Sequence, residues 1–187
     1  MLVECGAVLI DADAISREVT APGGTAVALV VRHFGPSAVT AGGAMDRDYM
    51  RDLALREPTV KRQLEAIIHP LVRLESARLS AAAAGAGQAC ILFDIPLLVE
   101  SNLWRQQLDQ VLVVDCSEAT QIDRVMARQS QPGMRGQWTR ETVQKVMALQ
   151  VSRAHRRAAA DACIFNEGLS LKALSGLVRQ LSHRFGL

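Results

Sequence analysis

Two aspartates one residue apart, Asp11 and Asp13, end a short apolar run near the beginning of the sequence, and Arg17 follows four residues later. One carboxylate in such a pair can take a proton from a substrate hydroxyl, while the other orients a partner or holds a metal ion. If the strand continues, its period of two places both side chains on the same side. The structural alternative is that Asp13 caps the following helix, and for a single aspartate this capping interpretation is the stronger one.

Acidic residues also follow two later apolar runs. Asp94 ends the second candidate strand and Asp115 ends the third. Ligands in open α/β sheets bind beyond the carboxyl ends of the strands. Because acids from several strands are expected to converge there, a functional role is favoured over simple capping.

Arginines form a second candidate group. Arg124 and Arg128 lie four residues apart on one face of a predicted helix, and the Pro/Gly-broken segment 130–137 follows in the position of a mobile lid. Further arginines come after it: Arg135, Arg140, Arg153, Arg156 and Arg157. Such a cluster suits a polyphosphate ligand, whose negative charge must be neutralised. For any single arginine a solvated helix face is the simpler interpretation.

The basic residues are nearly all arginine, since the only lysines among 21 Lys and Arg are Lys61, Lys145 and Lys172. This bias is explained by a GC-rich genome or by arginines that hold phosphates through two nitrogens. His69 precedes Pro70, where a structural hydrogen-bonding role is commoner than catalysis.

Continuous apolar runs predict four strands buried on both faces of a parallel sheet, at 7–10, 89–93, 111–114 and 162–165. Helices are predicted at 118–128, with Ser117 as N-cap, at 140–160 and at 170–184. This alternation predicts an α/β fold with right-handed crossovers. The segment 24–85 is predicted to be a helical insertion, broken at 34–46 and again at His69–Pro70.

The composition excludes several classes of protein. The chain has 187 residues, 4% aromatic residues and a net charge of +2, which is weak evidence for nucleic acid and none for a membrane surface. No apolar stretch approaches the length of a membrane span. The four cysteines form no CxxC pair and suit free thiols in a reducing cytosol, and no metal-ligating His or Cys pattern exists.

Five segments occur in an order and spacing that resembles the dephospho-CoA kinase family: VLIDADAISREV, HFG, HPLV, DIPLLVE and ADACIFNEG. The resemblance covers essentially the whole chain. It implies transfer of the γ-phosphoryl group of ATP to the 3′-hydroxyl of dephospho-CoA, the last step of coenzyme A synthesis. It also implies Mg²⁺ with ATP, small-molecule substrates, a cytoplasmic setting and a monomer without nucleic-acid or membrane partners.

The resemblance also implies a fold, namely the three-layer α/β sandwich of P-loop nucleoside kinases, with a parallel sheet and flanking helices. The α/β core is expected over 1–23 and 86–187, with a lid near 128–140. The helical substrate-binding region is expected over 24–85.

The family's site residues carry over at the matching motifs. Asp13 corresponds to the general base for the 3′-hydroxyl, and Asp11 and Arg17 to its companions. The other substrate-binding residues are His69, Pro96, Leu97, Leu98 and Glu100. The nucleotide-binding residues are Arg124, Arg128, Asn166 and Gly168. No metal ligand is assigned, and the roles of Arg135, Arg140, Arg153 and Arg157 stay open.

One family feature is missing from these residues. The family begins with an apolar strand, central in a five-stranded sheet, and a GxxxxGK[ST] loop that cradles phosphates, and neither occurs here. We therefore expect this chain to lack the first strand, to fold poorly or rearrange its sheet, and not to turn over, through a misplaced start codon or a truncated gene. The alternative is a non-catalytic relic that binds a CoA-like ligand or a partner. A different nucleoside-monophosphate-type kinase is disfavoured by the HP and PLL.E motifs.

Overall fold

The computed structural model describes residues 1–101, 104–129 and 138–187. The chain divides into two units, which we call the amino-terminal unit (Leu2–Pro96 with Ser182–Leu187) and the carboxy-terminal unit (Leu97–Leu181 with Met1). The segment 130–137 that the sequence predicts as a lid, with Arg135, lies outside the described residues. The predicted boundaries of a core and a helical region at 24–85 stay a prediction.

The amino-terminal unit contains a two-stranded parallel sheet. Strand β1 (Val8–Asp11) pairs with β2 (Ile91–Asp94) so that the last residues of the two strands, Asp11 and Asp94, are register partners. The helices between them are α1 (Ala12–Val19), α2 (Val27–Phe34), α3 (Arg47–Arg56) and α4 (Pro58–Gly85). The parallel pairing is as predicted, and it places the carboxyl ends of both strands at one edge.

Two apolar clusters hold this unit together. The first joins β1 to α1 and α4 through residues that include Ile10, Ile15 and Val72. The second joins α2, α3 and α4 around Val30 and Met50, which are 0% and 1% exposed. Ile67 and Ile68 of α4 pack against both clusters, so this helix connects the sheet to the rest of the helical region.

Helix α4 runs without interruption from Pro58 to Gly85, so the predicted break at His69–Pro70 is wrong. Pro70 has no N–H to donate within the helix, and an internal proline disfavours a helix by about 3 kcal/mol. The apolar residues on either side of it, Ile68 and Leu71, pack against the first cluster. Because burial of several such side chains outweighs one missing hydrogen bond, the helix continues through the proline.

The carboxy-terminal unit contains a second two-stranded parallel sheet. Strand β3 (Leu112–Asp115) pairs with β4 (Ala162–Phe165), and Asp115 is the register partner of Phe165. The helices are α5 (Glu118–Gln129), α6 (Arg140–Ala148), α7 (Arg153–Ala158) and α8 (Leu171–Ser182). The predicted N-cap of α5 is confirmed, since Ser117 Oγ accepts a hydrogen bond from the Thr120 N–H at 3.2 Å.

The single helix predicted over 140–160 is wrong, because the structure divides it into α6 and α7. Ser152 adopts an extended backbone and its Oγ accepts a hydrogen bond from the His155 N–H at 3.2 Å. A serine that caps in this way begins a new helix. The preceding residue, Val151, therefore lies in a turn rather than inside a helix.

The prediction that the strands are buried on both faces is also wrong. Ile10 is 2% exposed, while its neighbour Leu9 is 46% exposed; Val114 and Phe165 are 60% and 53% exposed. Side chains alternate between the two faces of a strand, and helices α1 and α4 pack on the face that carries Ile10. Among the described helices, none is long and apolar enough to cross a membrane.

Candidate active site

The junction between β1 and α1 separates the roles of the two opening aspartates. Asp11 is the last residue of β1 and the N-cap of α1, and its Oδ1 accepts a hydrogen bond from the Ala14 N–H at 2.8 Å. Its Oδ2 lies 3.7 Å from the Arg17 guanidinium. The capping role that the sequence offered to Asp13 therefore belongs to Asp11, and the strand does not continue to place both side chains on one side.

Asp13 lies in the first turn of α1 and is exposed. Within the parts of the chain that the structure describes, no residue forms a hydrogen bond or an ion pair with its carboxylate. Helix α3 begins in the same way, with Asp46 as N-cap and Asp48 two residues later, but Asp48 pairs with Arg51 at 2.5 Å. Neither helix capping nor a salt bridge to a described residue accounts for Asp13, so its carboxylate is available for a ligand.

Further predicted residues lie in the same unit. Asp94, the register partner of Asp11, is exposed at the end of β2, and neighbouring strands are about 4.8 Å apart. The convergence of acids predicted for the strand ends is therefore confirmed for this pair. His69 is exposed on α4, and no described residue hydrogen-bonds to its ring, so the structure gives it no internal structural partner.

The loop that follows β2 has an unusual backbone. Leu97 is the one non-glycine residue with a positive φ among those described, at 56°, and its side chain is 52% exposed. Left-handed backbone in a residue of this kind disfavours folding by about 1–2 kcal/mol and is concentrated at functional sites. The Ser101 N–H donates to the Leu97 and Leu98 carbonyls at 3.1 and 3.2 Å, which closes the turn.

Glu100 has a partner within the carboxy-terminal unit. Its Oε1 accepts a hydrogen bond from the Val151 N–H at 3.1 Å, in the turn between α6 and α7. This bond ties the Leu97–Glu100 loop to the start of α7. The carboxylate of Glu100 therefore has a structural contact in addition to the substrate-binding role that the resemblance implies.

The predicted nucleotide-binding residues lie together in the carboxy-terminal unit, on α5 and on the loop after β4. Arg124 Nη2 donates to the Asn166 carbonyl at 2.8 Å, and the Asn166 N–H donates to the Asp115 carbonyl at 2.7 Å. Gly168 has a φ of 64°, a conformation that favours glycine. Arg128 is exposed one turn further along α5, with its Nε 3.4 Å from the Arg124 carbonyl.

An ion pair with a buried carboxylate lies at the end of β3. The Asp115 carboxylate, 4% exposed, accepts hydrogen bonds from Arg153 Nε and Nη2 at 2.7 and 2.8 Å, and Arg157 Nε lies 3.9 Å away. The Arg153 guanidinium also lies over the Phe165 ring, 5.4 Å from its centroid. The sequence placed Asp115 at a strand end but gave no signal that Arg153, 38 residues later, is its partner.

The Arg153 guanidinium lowers the pKa of Asp115 below its ordinary 3.8. A carboxylate with a lowered pKa stabilises the folded state above its ordinary pKa, and this contribution is lost as pH falls through the folded-state value. We therefore expect Asp115→Asn to lower the melting temperature at pH 7. We also expect its difference from wild type to shrink once the pH falls below about 3.8. Thermal unfolding followed by circular dichroism across this pH range measures both effects.

The control is Asp109→Asn, because Asp109 is exposed in the same unit. This variant should leave the pH dependence of the melting temperature unchanged. An Asp115→Asn variant whose melting temperature follows the wild-type profile at every pH contradicts the role of this pair.

Comparison with known proteins extends these observations to a family. The model of the family described as dephospho-CoA kinase matches residues 1–171. The chain belongs to the dephospho-CoA kinase family. Its members are phosphotransferases of coenzyme A biosynthesis, and the family implies the use of ATP. The resemblance found in the sequence motifs is thereby confirmed.

Curated relatives agree with this assignment. The dephospho-CoA kinase of Albidiferax ferrireducens is 54% identical over 187 residues, which are 100% of this chain and 85% of the relative. The dephospho-CoA kinase of Bordetella pertussis is 48% identical over 168 residues, 90% of this chain and 74% of the relative. Identity at this level along the chain favours a dephospho-CoA kinase over another type of nucleoside kinase.

Solved structures have the same fold. A protein from Thermus thermophilus, TT1252, superposes with a TM-score of 0.70 at 25% identity, over 96% of this chain and 87% of its own. The dephospho-CoA kinase from Campylobacter jejuni superposes with a TM-score of 0.69 at 17% identity, over 97% of this chain and 88% of its own. The predicted α/β class, with parallel strands and flanking helices, is confirmed.

Proposed function

We propose that the protein transfers the γ-phosphoryl group of ATP to the 3′-hydroxyl of dephospho-CoA, with Asp13 as the general base. The observation that carries this proposal is the exposed Asp13 carboxylate, which no described residue engages, in the first turn after a strand of the sheet. In phosphoryl transfer the protein contributes positioning and charge stabilisation, and an aspartate accepts the proton of the attacking hydroxyl. The exposed position of Asp13 in the first turn of α1 supports this role.

Other residues of the family's motifs are proposed to bind dephospho-CoA. Asp11 and Arg17 form an ion pair one helical turn away, which keeps the guanidinium close to the start of α1. We propose that this pair orients the ribose and its neighbouring phosphate. We assign the remaining contacts with dephospho-CoA to His69, Pro96, Leu97, Leu98 and Glu100.

The nucleotide side is assigned to the carboxy-terminal unit. The Asn166–Gly168 loop and Arg124 are proposed to receive the adenine ring of ATP, and Arg128 is proposed to face its phosphates. Two of these residues, Arg124 and Asn166, are joined by a hydrogen bond of 2.8 Å, so they form one surface.

Mg²⁺ is expected with ATP, as part of the substrate. The described residues contain no group of three or more His, Cys, Asp or Glu side chains that could hold a metal ion. A GxxxxGK[ST] loop is also absent from the 187 residues. No step of the mechanism is therefore assigned to a metal bound by these residues.

The proposed function is tested by measuring binding and turnover separately. We expect isothermal titration calorimetry to detect dephospho-CoA binding to the 187-residue chain. Because the phosphate-cradling motif is absent, we expect CoA formation, followed by chromatography and mass spectrometry, to be orders of magnitude slower than for the Albidiferax ferrireducens relative assayed alongside.

Each outcome has a distinct meaning. Binding with slow turnover supports the assignment of the substrate-side residues. Rapid turnover supports the kinase activity and contradicts only the expected effect of the missing motif. A chain that is folded and neither binds dephospho-CoA nor forms CoA contradicts the proposed function.

The setting of the enzyme is part of the same proposal. We infer a cytoplasmic monomer that acts on the small molecules dephospho-CoA and ATP, without a nucleic-acid or membrane partner. The net charge of +2 is too small to support a polyanionic partner. Light scattering coupled to size-exclusion chromatography measures the oligomeric state, and a stable dimer would contradict this part.

A further inference from the structure

Glu167 connects the loop after β4 to the beginning of helix α5. One carboxylate oxygen, Oε2, accepts a hydrogen bond from the Ser117 N–H at 2.7 Å. The other, Oε1, accepts hydrogen bonds from the Ser117 hydroxyl at 3.2 Å and from the Thr120 hydroxyl. A single side chain thus accepts three hydrogen bonds from residues 47–50 positions earlier in the sequence.

The same loop is tied to α5 at a second point. Arg124, on the second turn of α5, donates to the carbonyl of Asn166, the residue next to Glu167. The Asn166 N–H in turn donates to the Asp115 carbonyl at the end of β3. The loop is therefore held at two consecutive residues, Asn166 by β3 and α5 and Glu167 by the beginning of α5.

The position of the Glu167 carboxylate at the N-terminus of α5 favours its ionised form. The first N–H groups of a helix have no partner within it, and a carboxylate near the helix N-terminus also interacts favourably with the helix dipole. The Ser117 N–H, then the Thr120 hydroxyl, lower the pKa of Glu167 below its ordinary 4.5. These hydrogen bonds therefore favour the ionised form of Glu167.

We propose that Glu167 is a positioning residue that fixes the Asn166–Gly168 loop in the shape that discriminates adenine from other bases. This proposal rests on the proposed nucleotide-binding role of that loop. Glu167 uses its three bonds on α5 and therefore acts through its neighbours rather than by touching the base. Gly168 follows Glu167 and has a left-handed backbone, which turns the chain at this point. The orientation of the loop's backbone groups therefore depends on how Glu167 is held.

Discrimination between adenine and other bases requires that the backbone groups of the Asn166–Gly168 loop are held in fixed positions. Recognition of a planar base by backbone groups requires positions fixed within about 0.5 Å, and a displacement of about 1 Å can reduce an interaction 100-fold. A loop that is free at Glu167 would still contain Asn166 and Gly168. It would no longer hold them in one arrangement, so the affinity for ATP and the preference for ATP over GTP should fall together.

The experiment compares Glu167→Ala and Glu167→Gln with wild type by calorimetric titration of ATP, GTP and dephospho-CoA. We expect Glu167→Ala to weaken ATP binding about 10- to 100-fold and to bring the ATP and GTP affinities close together. We expect dephospho-CoA affinity to stay within about twofold, since its proposed contacts do not include this loop. Glu167→Gln keeps one acceptor oxygen and should recover part of the selectivity, an effect that a general loss of stability would not produce.

The matched control is Glu118→Gln, because Glu118 is exposed at the start of the same helix. It should leave both affinities unchanged. If Glu167→Ala fails to fold, Thr120→Val removes one donor from the opposite side and should reduce ATP selectivity in the same direction.

Two negative results are distinguishable. Wild-type protein that binds dephospho-CoA but shows no preference for ATP over GTP overturns the nucleotide-binding role of the loop, and with it this inference. Wild-type protein that prefers ATP, with folded Glu167→Ala and Thr120→Val variants that keep the same preference, overturns the positioning role of Glu167 alone.

Discussion

Replacing Asp13 by asparagine is expected to lower the rate of CoA formation by about 10²- to 10⁴-fold, the range typical for loss of a general base. The affinities for ATP and dephospho-CoA should change by less than about threefold, because asparagine keeps the size of the side chain and one acceptor oxygen. The structure supports this separation, since Asp11 rather than Asp13 caps helix α1. Steady-state kinetics of CoA formation and calorimetric titration of both substrates, each on wild type and variant, provide the two measurements.

A matched control for this variant exists within the same unit. Asp48 follows the N-cap of α3 by two residues, as Asp13 follows the N-cap of α1. Asp48→Asn therefore removes the same charge from the same position of a helix, and we expect it to leave the rate of CoA formation unchanged. Equal rate losses in the two variants, or an Asp13→Asn variant with full activity, would remove Asp13 from the role of base.

Truncation of Ile10 to alanine is expected to lower the free energy of unfolding by about 2–5 kcal/mol, the range for large-to-small substitutions in a packed core. Ile10 is 2% exposed and belongs to the cluster that joins β1 to α1 and α4. This is a large share of the roughly 5–15 kcal/mol that stabilises a typical domain. Equilibrium unfolding in guanidinium chloride, followed by circular dichroism, measures the change.

Leu9→Ala is the control for Ile10→Ala, since Leu9 is the preceding residue of the same strand and is 46% exposed. Its truncation removes the same number of carbon atoms from a surface that solvent already reaches. We expect a loss below half of that for Ile10→Ala. Equal losses at the two positions would mean that the cluster around Ile10 does not dominate the stability of this unit.

Local signals in the sequence predicted strands and helix ends where a single interaction determines the structure, such as burial of an apolar run or capping by one side chain. Strand β4 lies at residues 162–165, as predicted, because four apolar or thiol side chains follow one another between polar residues. Ser117 was predicted as an N-cap from its own type and position, and it is one. Such features depend on a few neighbouring residues, which a sequence displays directly.

Predictions failed where two interactions favour different structures for the same residues. The break at His69–Pro70 was expected from the missing proline N–H, but packing of the residues around it prevails and α4 continues. Between residues 148 and 153 the sequence predicted a continuous helix from its apolar periodicity. The structure has two helices there, because Ser152 caps the second one. Neither the continuation of α4 nor the division between α6 and α7 can be predicted without knowing what each helix packs against.

The sequence proposed residues for the candidate site but did not indicate the contacts between them. The motifs identified Asp11, Asp13, Arg124 and Asn166, and the structure shows which of these are tied to other groups. Glu167 was missed, because its partners are far away in the sequence and a glutamate in a loop has no distinctive pattern. A serine and a threonine three residues apart at the start of α5 were the only local trace of this contact.

The scarcity of lysine has a consequence for how this sequence can vary. The Asp115 carboxylate is 4% exposed and accepts hydrogen bonds from two nitrogens of the planar Arg153 guanidinium. The same guanidinium lies over the Phe165 ring. An ammonium group offers a single nitrogen and no flat face, so Arg153→Lys loses the two-nitrogen geometry of this ion pair. We therefore expect substitution of arginine by lysine to have little effect on exposed helix faces and to lower stability at position 153, whatever the base composition of the genome.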